Sequence, residues 1–339
     1  MTKKADQSDD TQQNNNAPVF LMADPSFYAI EKPFDDGHAP ANDFSIQGYE
    51  EYAKDPEAFT EKAKEQWTQL RDIFNRLGVQ TVVMPSEPGK VDQVFTADPS
   101  LTLRTKKGKL VTISSRFSNE GRQQEVEDQL ALFRQEADRI TIAAPYQMEG
   151  TGDNVYDPFR DIFWSGYTKT PGREGAASGR SDIRAHKTLS NATGVEVISL
   201  EVQQPFFHID TSLAPLPSGH IVCYKGGMSD EAFEKMQQNA FDRYGLPRDK
   251  YMIEVSESDA AAYACNLRCV GDTIVMPTCS QELQDKLKDI GYDVITTDIS
   301  QFIHTGGGVH CLTNNINETR IPGGYISQMK MSSSRKMAL

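Results

Sequence analysis

Four short segments put nucleophilic, acid–base and carboxylate side chains beside glycines or apolar runs. The first is HTGGGVHCL, His304 to Leu312. Three successive glycines weaken a helix or strand interior, but they serve where backbone must turn sharply or come close to a ligand. Cys311, just beyond them, is placed for exposure, and a thiolate is a strong nucleophile near neutral pH once its pKa is lowered. The plainer reading is an inert thiol after a glycine turn. The second segment is PFFHIDTSLAPL, Pro205 to Leu216. Read as a strand, it points His208 and Asp210 to one face, because side chains repeat every two residues. A histidine and a carboxylate together suit proton transfer, although such pairs are often only structural. The third is MEGTGD, where Glu149 and Asp153 flank a Gly-Thr-Gly turn after the expected strand RITIAA. The fourth is VFTAD, where Asp98 closes an apolar run before Pro99, as a pocket acid or as a turn residue.

The four together say more than each alone. One cysteine, one histidine and several carboxylates fit a guanidinium substrate. That group is a planar cation with five N–H donors, and carboxylates hold it bidentately. The cysteine attacks the central carbon and the histidine protonates the departing amine.

Five stretches share the plan that would position these residues: an amphipathic helix, usually closed by glycine, then a β-rich run. In the clearest, Asp55 caps the helix and Pro56 takes its first position. Phe59, Ala63, Leu70, Ile73, Phe74 and Leu77 form one stripe, and Gly78 precedes the strand VQTVVM. The others are expected at about 122–137, 182–193, 230–244 and 281–290, followed by RITIAA, VEVISLEV, YMIEVS and YDVITTD. Strands LTLR and LVTIS flank the Lys107-Gly108 turn. Repetition every 40–60 residues or so points to a repeat architecture, here ββαβ units around a central site, with an ordinary α/β domain as the alternative.

Bulk composition narrows the class. With 38% hydrophobic and 24% charged residues, the 339-residue chain has the balance of a globular protein. A net charge of −13 disfavours a nucleic-acid backbone as partner and suits a small cation. No apolar run is long enough to span a membrane. Residues 1–17 read as a disordered leader without a secretory h-region, 18–322 as one catalytic domain and 323–339 as a loosely held tail. The five cysteines (223, 265, 269, 279 and 311) are expected as free thiols in the cytoplasm. Cys265 and Cys269 have no nearby histidine to complete a zinc set, so no metal is expected.

The segments VFTADPSL, MEGTGDNV, FFHIDTSLAPLPSG, YACNLRCVGDTIVMP and GGGVHCLT, in this order, resemble the guanidine-modifying enzyme superfamily. It includes arginine deiminases, dimethylarginine dimethylaminohydrolases, amidinotransferases and arginine dihydrolases. The resemblance runs from VFLMADPSFYAI near residue 19 to HCLTNNI near 316. It implies an α/β fold, the five-bladed propeller called the pentein, with Cys311 as nucleophile, His208 as general acid/base and Glu149 beside the histidine. Asp98 and Asp210 would grip the guanidinium, with Asp153 nearby. Arg180 in GRSDIRAH, or Arg122 in EGRQQE, would hold a substrate carboxylate. The implied reaction passes through a thiouronium adduct to a ureido product and needs no cofactor. Amidino transfer to an amine and a non-catalytic binding role are the other readings, and a homodimer is left open. The dihydrolase branch carries Asn where this chain has Asp98, and Asn-Pro where it has Lys32-Pro33. A single round of hydrolysis is therefore expected.

Overall fold

The computed structural model describes residues 17–33, 42–134, 136–168 and 180–327. Among them, β1 (Val19–Ala23) leads through α1 (Asp43–Tyr52) and α2 (Pro56–Arg76) to β2 (Gln80–Met84), which runs parallel to β1. The next unit is the hairpin β3 (Ser100–Arg104) and β4 (Leu110–Ser114), then α3 (Gln123–Phe133) and β5 (Arg139–Ala143). The third is β6 (Asn154–Asp157), β7 (Ile162–Tyr167), α4 (Ala185–Thr193) and β8 (Glu196–Glu201). The fourth is β9 (Leu213–Pro215), β10 (Ile221–Cys223), α5 (Asp230–Ala240), the short α6 (Arg248–Tyr251) and β11 (Met252–Glu254). After α7 (Glu257–Ala261), the fifth is β12 (Arg268–Val270), β13 (Thr273–Pro277), α8 (Gln281–Asp289) and β14 (Asp293–Thr297). α9 (Ser300–Ile303) and β15 (Asn314–Asn315) follow.

The fold is α/β, built from five three-stranded sheets on one plan. An antiparallel pair feeds a helix, and the third strand returns parallel to the middle one, as such crossovers require. In the first unit the antiparallel partner comes from the far end of the chain. Asn314 and Asn315 of β15 pair with Leu21 and Phe20 of β1. This closure fixes Cys311, three residues before β15, against the first unit.

The expected stripe of α2 is on its buried face, joined by Trp67, and Asp55 caps the helix through the Ala58 N–H. Burying each large side chain there contributes roughly 1.5–3 kcal/mol. Gly194 takes φ 70° at the end of α4, the left-handed stop for which glycine is suited. Three helices are shorter than the sequence pattern predicts. α5 ends at Ala240 rather than Tyr244, α3 ends at Phe133 rather than Ala137, and α4 begins at Ala185 rather than Asp182. In α4, Asp182 is engaged in the turn before the helix, donating its N–H to Gln147 O.

The expected leader lies, except for Ala17, outside the described residues. So do residues 328–339 of the expected tail. At the start of that tail, Tyr325 N and Ile326 N donate to Pro158 O and Phe159 O, and Ile326 is buried. No described helix is long and apolar enough to cross a membrane.

Candidate active site

The glycine run does what its composition allows. A Cβ on Gly307 would lie 2.0 Å from the Phe95 ring, and one on Gly308 2.6 Å from Asn266 Oδ1. The backbone therefore packs where no other residue fits, and the next turn delivers Cys311 to the site. Cys311 is buried at 2% exposure. Its N–H donates to Asn266 Oδ1 (3.0 Å), Asn266 Nδ2 donates to Sγ (3.1 Å), and Sγ lies 3.3 Å from Asp210 Oδ2. Burial, then the nearby carboxylates of Asp210 and Asp98, push the thiol well above its usual range.

His208 does not sit on a strand, contrary to the sequence expectation. It is an extended residue entering the 3-10 turn Ile209–Thr211, which Thr211 Oγ1 secures on His208 O (2.6 Å). The turn still serves both side chains. His208 Nε2 meets Glu149 Oε2 at 2.9 Å, and its Nδ1 lies 3.7 Å from Asp98 Oδ1. Asp210 passes beneath the thiol and binds His310 Nδ1 at 2.8 Å. Burial opposes charge on His208, but Asp153, Asp98 and the Glu149 hydrogen bond overcome it and raise its pKa to about 9.

Glu149 is held by its neighbours. Ser118 donates to Oε1 through both its N–H (3.0 Å) and its hydroxyl (2.7 Å), and Arg180 Nη1 lies 3.3 Å from Oε2. Burial favours its neutral form. The Arg180 charge and the His208 hydrogen bond prevail and hold the carboxyl far below the usual range. The following Gly150, at φ 45°, is required, since a Cβ would stand 2.1 Å from Ala97 O.

Asp98 lies in a turn rather than at a strand end, its N–H donating to Phe95 O. Its Oδ2 accepts from Arg122 Nη1 at 2.9 Å, and Oδ1 has no donor among the described residues. Burial raises its pKa despite His208 and Arg122. Arg122 is anchored by Glu125 (2.8–3.2 Å) and Asp92 O (3.3 Å) as well as Asp98. Arg180 also lies over the Phe207 ring, 4.7 Å from its centroid.

Asp98, Arg122, Arg180, His208 and Cys311 line one narrow pocket with Asn42, Phe95 and Phe207. Two expected contacts lie off that wall. Asp153, expected near the substrate, is committed to the scaffold, accepting from Ser181 Oγ (2.6 Å) and Ile209 N (3.3 Å). It holds the turn that carries His208, and burial raises its pKa to about 7. Asp210 lies behind the thiol and lines a different cavity. Sequence reasoning missed Asn266, His310 and Ser118. The first lies in CNLRC between two more conspicuous cysteines, and the second directly precedes Cys311. Cys265 is buried and Cys269 half-buried, both as free thiols.

Comparisons with known proteins identify the family. The family model described as N,N dimethylarginine dimethylhydrolase, eukaryotic, matches residues 34–318. The chain is 30% identical over 264 residues, 77% of its length, to the bifunctional arginine dihydrolase/ornithine cyclodeaminase ArgZ of Synechocystis. It spans about a third (34%) of the length of that protein and of its Nostoc counterpart AgrE. A dimethylarginine dimethylaminohydrolase of Mycobacterium tuberculosis is 24% identical over 88% of this chain and 85% of its own. The crystal structure of the product-bound N-terminal domain of ArgZ superposes with TM-score 0.72 at 25% identity, covering 90% of this chain and 100% of that one. A crystal structure of a dimethylarginine dimethylaminohydrolase adduct matches with TM-score 0.62 at 21% identity, covering 88% and 99%, which speaks for the fold alone. With the model matching most of its length, the chain belongs to the N,N dimethylarginine dimethylhydrolase family.

Proposed function

We propose that this chain hydrolyses a C–N bond of a substituted guanidine, arginine or an N-methylated arginine, through a covalent adduct on Cys311. The observation that carries this reading is one pocket lined by Cys311, by His208, which Glu149 holds from behind, and by Asp98, whose Oδ1 has no donor among the described residues. Asp98 Oδ1 accepts an N–H of the guanidinium, and Asp210 adds negative charge beneath the thiol. The incoming cation offsets the two carboxylates that keep the thiol protonated, so on substrate binding the thiol gives up its proton to solvent and the thiolate is the nucleophile. Arg180, on the pocket wall, is proposed to meet an α-carboxylate; Arg122 lines the wall too, but its guanidinium is engaged by Asp98, Glu125 and Asp92 O, so its proposed part is to orient Asp98.

Cys311 Sγ adds to the guanidinium carbon. Protonated His208 gives its proton to the leaving nitrogen, the C–N bond breaks, and ammonia or methylamine departs. Neutral His208 then takes a proton from water as its oxygen attacks the thiouronium carbon. The C–S bond breaks and the hydroxyl proton of the adduct passes to the departing sulfur, leaving a neutral ureido product, the Cys311 thiol and protonated His208. With Asp98 where the dihydrolase branch carries Asn, one round of hydrolysis is proposed.

The test is incubation with arginine, mono- and dimethylarginine and agmatine, following ureido product and released amine, with and without an amine acceptor. Ureido product from at least one substrate is expected, lost in a folded Cys311→Ser variant by about a thousandfold or more. No turnover of any guanidine would refute the reading, and so would full activity in Cys311→Ser.

A further inference from the structure

Behind the catalytic residues lies a second cavity of about 390 Å³. Asp210, His310, Thr151 and Asn154 line it. Asp210 also stands under the nucleophile, since its Oδ2 contacts both Cys311 Sγ and His310 Nδ1. The Gly150–Gly152 turn completes the partition. Thr151 lines the rear cavity, whereas a Cβ on Gly152 would sit 2.7 Å from Asp98 Oδ1 and 2.8 Å from His208 Nδ1, on the pocket side. The wall between nucleophile and rear cavity is thus a single residue thick. Elsewhere the cavity is lined by half-buried Thr319 and exposed Tyr325, where it meets solvent.

Two acceptors on the cavity-lining residues have no donor among the described residues. They are Oδ1 of Asp210 and Oδ1 of Asn154, each on a residue 1% exposed. A buried acceptor without a donor costs about 1–3 kcal/mol, so the matching occupant is small and rich in N–H or O–H groups. The proposed reaction releases such a molecule, ammonia or methylamine, while the Cys311 adduct still fills the front pocket. That pocket is only about 20 Å³.

Resting on the hydrolase reading above, we propose that the rear cavity is a binding and exit site for the small amine product. After His208 has protonated the leaving nitrogen and the C–N bond has broken, the neutral amine passes the Asp210 carboxylate. Its N–H groups then donate to Oδ1 of Asp210 and Asn154. Asp210 serves as the gate because its other oxygen is tethered by His310.

The test narrows the cavity away from the chemistry. Thr319→Trp and Cys269→Phe each add bulk at a half-buried lining position, with Thr319→Ser as control. Both plugged variants should lose kcat by about tenfold, because release becomes limiting, while Cys311 alkylation by iodoacetamide stays within about twofold. Entry of ¹⁵N from labelled ammonium into recovered substrate should fall in parallel. Unchanged kcat and exchange in a variant whose crystal structure has the cavity filled would overturn the exit route. Crystals of the unaltered protein soaked in methylamine should hold it against Asp210 and Asn154, and only water there would overturn the binding site. If the unaltered protein turns over no guanidine, the hydrolase reading itself fails. Normal turnover with plug-insensitive rates refutes the exit route alone.

Discussion

Replacing Glu149 by Gln keeps the shape of the side chain and removes its charge. The amide oxygen can still accept from Ser118, but the NH₂ then faces His208 Nε2 at the 2.9 Å position of Oε2, with Arg180 beside it. The His208 pKa of about 9 is sustained against burial by Asp153, Asp98 and Glu149 together. Losing one of three such carboxylates lowers it by roughly one unit or more, about 1.4 kcal/mol. His208 must be protonated to serve the leaving nitrogen, so activity falls as pH rises through its pKa. The alkaline limb of kcat/KM, expected near 9 in the unaltered protein from the His208 pKa, should move down to about 8 or below, and the rate at the optimum should fall roughly a hundredfold. The assay is ureido formation across roughly pH 6–10, a range that brackets both values. A lower rate with an unmoved alkaline limb would show that Glu149 does not control the proton on His208.

Asp210→Asn removes a carboxylate 3.3 Å from Cys311 Sγ that helps keep the thiol protonated. Alkylation of Cys311 in the substrate-free protein, followed by mass, should speed up about tenfold or more below the thiol pKa. Slower or equal labelling would contradict the assigned electrostatics. Arg180→Lys should raise KM for arginine by about 10–100-fold, the worth of a charged hydrogen bond, and leave agmatine, which lacks the carboxylate, much less affected. Equal effects on both substrates would remove Arg180 from carboxylate binding. Gly150→Ala places a Cβ 2.1 Å from Ala97 O at φ 45°. It should cost about 2–4 kcal/mol in urea unfolding, and a wild-type midpoint would contradict the packing described.

The repeated units were legible in the sequence because helix periodicity, caps and glycine stops are local properties. The α2 stripe and the strands on either side of Lys107-Gly108 are where the pattern predicts them. The residue types needed for guanidine chemistry were legible for the same reason, since a cysteine after three glycines is conspicuous wherever it occurs. The sequence could not show which of these residues meet, because contacts between them span up to about a hundred positions, as from Cys311 to Asp210. The period-two argument for His208 and Asp210 failed since Thr211 closes a 3-10 turn there. Only the tertiary structure moved Asp153 into the scaffold and Asp210 beneath the thiol, and only it brought in Asn266 and His310. Sequence determined the units and the chemical vocabulary; the packing of the five units decided which acid faces the substrate and which stands behind the nucleophile, because that depends on where distant turns are buried against one another.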